Sequence, residues 1–253
     1  MAEQIRESTV TVQTDDGAMS AFQAMPEGAE QAPALVIAQE AFGVNGHIKE
    51  VCRRFAREGY VALAPDLYHR SGAMLTFGYD DARRREPFSA LTNEGITVDV
   101  KAALAYLAHL PEADAGRIGI VGFCVGGFVA FLAACRTDVA TAVCFYGGGM
   151  VKKREGLKLE PVLSETDAIK VPVLCFFGGK DASIPADEVA AIRNRLGMQA
   201  REHEVVVYPD AQHGFFCDER GSYDGEAAQD AWRRTTAWLE LRLKALASFP
   251  TED

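Results

Sequence analysis

The run Ile118-Gly119-Ile120-Val121-Gly122-Phe123-Cys124-Val125-Gly126-Gly127 decides how the rest of the chain is read. An apolar stretch of strand character ends in Gly122-Phe123-Cys124-Val125-Gly126 and passes straight into an apolar helical run, Phe128 to Ala134. That is the strand–turn–helix setting of a nucleophile elbow, G-x-S-x-G, with Cys in the serine position. The glycines have a steric role. The turn is tight, and a Cβ two residues before or after the nucleophile would crowd it. The expected product is a thiol at the C-terminal edge of a sheet, at the start of a helix whose dipole favours thiolate. The competing reading is a small buried Cys between the glycines of an ordinary strand–helix turn.

Working outward, Thr97 to Leu110 has helical spacing in Val100, Leu104, Leu107 and Leu110. Ala34-Leu35-Val36-Ile37-Ala38 is a continuous apolar run, the mark of a strand buried on both faces. It ends in Gln39-Glu40-Ala41-Phe42-Gly43-Val44-Asn45-Gly46, before a helix over His47 to Glu58 and a strand over Tyr60 to Pro65. Val10 to Gln13 and Met19 to Met25 flank Asp15-Asp16-Gly17 as an N-terminal hairpin. Downstream, strands are expected over Ala140 to Tyr146, Val171 to Phe177 and His203 to Tyr208, and helices over Pro185 to Leu196 and Ala227 to Leu246. Residues 71–94, with the basic cluster Arg83-Arg84-Arg85, are expected to run over the sheet edge, and the charged span 150–169 to form a loop or lid.

Strand alternating with helix predicts a mainly parallel, doubly wound α/β sheet flanked by helices. No repeat, low-complexity tract or linker divides the chain, so residues 1–253 are read as one domain. In such sheets the ligand site lies at the carboxyl ends of the strands. Cys124, Asp181, His213 and Glu40 each follow directly on an expected strand, which points to a single site.

The chain order Cys124, Asp181, His213 is the nucleophile–acid–base order of α/β-hydrolases. His213 would take the thiol proton and later protonate the leaving group. Asp181 would fix the imidazole tautomer and stabilise the imidazolium. Phe123 and Val125 keep water scarce around the sulfur. The backbone N–H groups of Val125 and Ala41 are the expected oxyanion donors. Glu40 is less expected, since a carboxylate facing a thiolate raises the Cys pKa. By accepting the thiol hydrogen bond, however, it could hold the resting Cys neutral until substrate arrives. The bland readings are an N-cap for Asp181, a structural His213 and a solvated Glu40. His47, His69, His109 and His203 fit helix faces, loops or strand surfaces.

A formal net charge of −10, from 26 basic and 36 acidic residues, argues against nucleic acid or an anionic membrane as partner. It leaves an anionic small substrate open, because a cationic pocket can coexist with an acidic surface. Met1 to Glu7 has no apolar signal core, and the run Val125 to Cys135 is too short to span a membrane. The six cysteines (52, 124, 135, 144, 175 and 217) form no C-x-x-C pair, so free thiols in a reducing cytoplasm are expected.

Five segments together resemble the dienelactone hydrolase (carboxymethylenebutenolidase) family, in order and over nearly the whole chain. They are Gln39-Glu40-Ala41-Phe42-Gly43-Val44-Asn45, Pro65-Asp66-Leu67-Tyr68, Gly122 to Gly127, Gly178-Gly179-Lys180-Asp181 and Ala211-Gln212-His213-Gly214-Phe215. The resemblance implies a compact α/β-hydrolase fold without a large cap domain, no cofactor and no metal-binding residue. It also implies a triad of Cys124, His213 and Asp181, with Glu40 as the carboxylate that holds the thiol until substrate displaces it. The implied reaction opens a dienelactone ring to maleylacetate through an acyl-enzyme, in the breakdown of chloroaromatics.

In the family two arginines bind the substrate carboxylate. Arg85 matches the first, while Arg84 is left to a solvated face; Phe42 and Tyr146 complete the expected substrate contacts. The second arginine should stand four residues after the catalytic His, where this chain has Cys217. Losing one charge-assisted contact would cost about 1.5–3 kcal/mol of anchoring unless Arg220, Lys152 or Lys153 substitutes. A broader carboxylesterase or thioesterase is therefore the alternative within enzymes. A non-catalytic binding or redox module, exchanging Cys124 with Cys217, is the alternative outside them. Oligomeric state is not readable from the sequence.

Overall fold

The computed structural model describes residues 4–199 and 201–245; Met1 to Glu3 of the N-terminal segment and Leu246, the expected end of the last helix, lie outside them. Eight strands form one sheet: β1 (Ile5–Thr14), β2 (Gly17–Pro26), β3 (Ala32–Ala38), β4 (Val61–Pro65), β5 (Ala113–Phe123), β6 (Ala142–Phe145), β7 (Val173–Gly178) and β8 (His203–Tyr208). Their spatial order is β1-β2-β4-β3-β5-β6-β7-β8. The hairpin β1–β2 and the β2–β4 pair are antiparallel, and every pair from β4 to β8 is parallel. The continuous apolar runs are the central strands: all residues of β4, β6 and β7 are buried.

The helices are α1 (Gly46–Arg57), α2 (Arg85–Ala90), α3 (Asn93–Ala108), α4 (Val125–Arg136), α5 (Ala186–Leu196) and α6 (Gly225–Leu239), the last running into a π-type turn over Glu240–Lys244. They cover both faces. A Cβ on Gly122 would strike α4, whereas one on its odd-numbered neighbour Gly119 would meet Leu243, beyond α6. On the Leu243 side α1 meets α6 through Phe55 and Trp232, whose rings are 4.6 Å apart; on the other side α3 packs on α4.

Some boundaries move. α3 starts at Asn93 rather than Thr97, because the Thr92 hydroxyl accepts the Gly95 N–H and caps it there. β5 starts at Ala113, where polar Asp114 and Arg117 pair with each other at the strand's open end. The span 150–169 is irregular except for a 3-10 stretch, Leu163–Ala168, and it is tied down. Asn93 brackets the Glu160 backbone with two hydrogen bonds of 3.0 Å, and Met150 O accepts from Val162 and Leu163. Between 71 and 94 the chain forms the 3-10 turn Ala82–Arg84 and then α2.

Candidate active site

The parallel strands end on a common edge. Glu40 follows β3, Cys124 follows β5, Tyr146 follows β6, Asp181 follows β7 and His213 follows β8. Cys124 sits at φ 56° and ψ −117°, in a region that L-residues rarely adopt. The turn survives because its neighbours have no side chain. A Cβ on Gly122 would come within 1.8 Å of Gly126 O, and one on Gly126 within 2.1 Å of Ala38 O. The Cys124 N–H donates to Phe145 O at 3.0 Å, and its carbonyl accepts from Gly127 and Phe128 at the start of α4.

His213 Nδ1 lies 2.6 Å from Asp181 Oδ2. The other carboxylate oxygen, Oδ1, accepts from Ser183 N at 2.8 Å and Ser183 Oγ at 2.6 Å. Asp181 is buried, which by itself would raise its pKa. The hydrogen bond and charge of His213, with the two Ser183 donors, outweigh burial and hold the carboxyl below its ordinary range. Burial likewise pushes the His213 imidazole down, but the Cys124 thiolate and the bond to Asp181 prevail and raise it to about 10. Ser183 was not anticipated; its only sequence signal is its place two residues after the acid.

The loop after β3 is locked from the side. Gln39 Oε1 accepts the Leu67 N–H at 3.2 Å, and Tyr68 OH donates to Ala41 O at 3.1 Å. Asp66 in turn accepts from Tyr68 N and Met74 N. The Pro65-Asp66-Leu67-Tyr68 segment thus serves as a clamp on the Glu40–Ala41 peptide. The N–H groups of Ala41 and Val125 donate to no other group among the described residues.

Glu40 is fully buried, and its charged contact is to Arg220, with Nη1 3.4 Å from Oε1. No hydrogen bond between Glu40 and Cys124 is present among the described residues, which differs from the expected thiol-holding contact. Arg220 also lies 5.5 Å over the Phe42 ring and 5.8 Å over Tyr79. Arg220 therefore does reach the site region.

A cavity of about 230 Å³ opens beside Cys124. Its walls are mostly apolar, from Val125, Phe128, Phe88, Leu157 and Leu159, with Ser183, His213 and Arg154 as polar members. The three expected substrate contacts do not line it. Arg85 is exposed at the start of α2; Arg84, assigned to solvent from the sequence, instead stands 5.2 Å over the Phe42 ring. Phe42 is buried edge-on against Tyr79, and Tyr146 is buried against His213 and Phe215. Lys152 and Lys153 are exposed and pair with Asp187 and Glu160. The next residue, Arg154, is the one on the cavity wall, held by Glu188 Oε2 at 2.9 Å and Ser183 O at 2.8 Å. The Leu157-Lys158-Leu159 alternation was the available signal for that wall.

A cysteine on a strand–helix elbow, a carboxylate and an imidazole on later strand ends, and a mainly parallel sheet covered on both faces are the arrangement of the α/β-hydrolase fold. The comparisons are more specific. Residues 19–243 match the model of the dienelactone hydrolase family. The Pseudomonas putida carboxymethylenebutenolidase is 33% identical over 235 residues, 91% of this chain and 94% of that one. A Synechocystis sp. protein provisionally named carboxymethylenebutenolidase is 36% identical over 248 residues, 96% of this chain and 100% of its own. The crystal structure of a Klebsiella pneumoniae protein, provisionally named a dienelactone hydrolase, superposes with a TM-score of 0.86 at 34% identity, covering 93% of this chain and 98% of that one. The chain belongs to the dienelactone hydrolase family and is a hydrolase of the ester and lactone class. That membership displaces the reading as a non-catalytic module. Among the described residues no helix is long and apolar enough to cross a membrane.

Proposed function

We propose that this hydrolase uses Cys124 as its nucleophile and opens the lactone ring of a dienelactone, giving maleylacetate through an acyl-enzyme. The observation that carries the reading is the positive-φ Cys124 beside a cavity that His213 also lines, with His213 bound to Asp181 at 2.6 Å. His213 holds the proton given up by the thiol, as an imidazolium paired with the Cys124 thiolate, and the thiolate attacks the lactone carbonyl. Charge develops on the carbonyl oxygen, which the free N–H groups of Val125 and Ala41 would receive. Collapse breaks the ring C–O bond, and His213 returns its proton to the departing enol oxygen. Water, deprotonated by His213, then cleaves the thioester. Asp181 is not protonated in this cycle; it keeps the imidazole oriented.

The substrate is read as small and anionic, with Arg154 on the cavity wall and Arg220 beside Glu40 as its candidate cations. The mostly apolar walls, and the pairing of both arginines with buried carboxylates, favour a second reading: a wider range of small neutral esters or thioesters.

The test follows ultraviolet loss of cis- and trans-dienelactone by the wild type and by Cys124→Ala, His213→Ala and Asp181→Asn, with an aryl acetate in parallel. We expect Cys124→Ala and His213→Ala to fall by at least about 10³-fold and Asp181→Asn by about 10²–10⁴-fold. Near-wild-type turnover in any of them overturns the role of that residue. Hydrolysis of the aryl ester alone would keep the cysteine chemistry and discard the dienelactone.

A further inference from the structure

Glu40, His47 and Cys217 come from three separate segments: the loop after β3, the first turn of α1 and the loop after His213. One donor atom from each lies within 4.8 Å of the other two. The three residues are 0%, 4% and 0% exposed. Two of their polar atoms, Glu40 Oε2 and His47 Nε2, are buried with no hydrogen-bond partner. Unmatched buried polar atoms are costly, and two in one cluster of metal-type donors is a pattern that a ligand would resolve.

We propose that Glu40, His47 and Cys217 form a binding site for a borderline-soft divalent cation of the zinc type. Carboxylate, imidazole and thiolate are the donors such a cation takes, and hard cations disfavour sulfur. Tetrahedral bonds of about 2.0–2.3 Å place ligand atoms about 3.3–3.8 Å apart, so the cluster closes by roughly 1 Å through side-chain rotation. The surroundings already supply an outer layer. Asp218 Oδ1 lies 3.9 Å from His47 Nδ1 and leaves Nε2 for the cation. Tyr79 OH lies 3.2 Å from Cys217 Sγ and donates to Glu219, and Arg220 holds Glu40 by Oε1, leaving Oε2.

The charges facing the cluster are Glu40, Asp218 and Glu219 against Arg220 and Arg54. The excess is acidic, which suits a cation. Burial holds the His47 imidazole below its ordinary pKa despite those acids, so it is a neutral donor. Burial pushes the Cys217 thiol up to about 11, so binding replaces the S–H bond by a sulfur–metal bond and releases one proton to solvent.

The test is a cobalt(II) titration of purified wild type, Cys124→Ala, Cys217→Ser and His47→Gln with a non-chelating reductant, followed by displacement with zinc. We expect one equivalent to give a near-ultraviolet thiolate-to-cobalt band with tetrahedral visible bands, in both wild type and Cys124→Ala. Cys217→Ser should lose the ultraviolet band, and His47→Gln at least ten-fold in affinity. Zinc should also raise the melting temperature of Cys124→Ala, a readout needing no substitution in the cluster. Absence of a one-equivalent band in wild type overturns the proposal. So does a band that Cys217→Ser keeps and Cys124→Ala loses, which would put the metal on the nucleophile. Neither measurement reads hydrolysis, so this proposal and the catalytic one fail separately.

Discussion

At the scale of single residues, the site depends on places where nothing but glycine fits. A Cβ on Gly126 would meet two backbone oxygens, Ala38 O at 2.1 Å and Gln39 O at 2.7 Å, neither of which can swing away. We predict that Gly126→Ala lowers stability by about 1–3 kcal/mol, read as a lower urea midpoint. Turnover should drop further than stability explains, because Gln39 and the Ala41 N–H move together. His213 gives a prediction with a sign. Its folded pKa, about 10, lies above the unfolded value of about 6.5. Its contribution to stability is thus full below about pH 6.5 and is lost as pH rises through about 10. The melting-temperature gap between wild type and His213→Gln should be widest near pH 6 and closed by about pH 10.5. In Cys124→Ala the thiolate is gone, and the imidazole titration followed by NMR should move down.

At the scale of elements, the sequence was most legible where periodicity and burial coincide. Ala34 to Ala38 reads as a central strand because burial on both faces removes polar residues altogether, and Val171 to Phe177 reads as a strand that the fold starts at Val173. Caps were less visible: the Thr92 hydroxyl extends α3 by four residues, of which only Ile96 continues the apolar spacing. The gathering of Cys124, Asp181 and His213 on one edge was legible because each follows the end of a strand. The cavity wall was not, since Leu157 and Leu159 reach Cys124 only through the fold of an irregular segment. The family resemblance points to Arg85 rather than Arg84, but the turn before α2 decides which of the two faces Phe42. The span 150–169 is fastened to α3 by Asn93. Asn93→Ala should leave the Glu160 backbone N–H and C=O unmatched, at about 1–3 kcal/mol. Hydrogen exchange at that amide, and proteolysis near Lys158, should both accelerate.

At the scale of the whole molecule, the doubly wound sheet draws residues from most of the chain onto one edge, from Glu40 to Arg220. Sequence order alone foretold that gathering, because parallel strands joined by right-handed crossovers all end on the same side. What it could not foretell is which buried charges meet. Glu40 and Arg220 are 180 residues apart, and their pairing is a property of the assembled fold.

The burial of α4 has one more consequence. Every residue from Val125 to Ala134 is shut away from water, so mobile ions cannot approach the axis of the helix that starts at Cys124. The positive end of its dipole therefore acts on the sulfur without the attenuation that dissolved salt imposes at a surface. Alkylation of Cys124 by a neutral reagent such as iodoacetamide should change by less than about two-fold between roughly 0.01 and 1 M salt, whose screening lengths are about 30 and 3 Å. Capture of an anionic substrate, which passes through solvent toward partly exposed arginines, should weaken over the same range as a rising KM. The two salt responses would then separate: reactivity at the sulfur set by an interior field, and capture of a charged ester, as proposed above, set by the ionic strength of its surroundings.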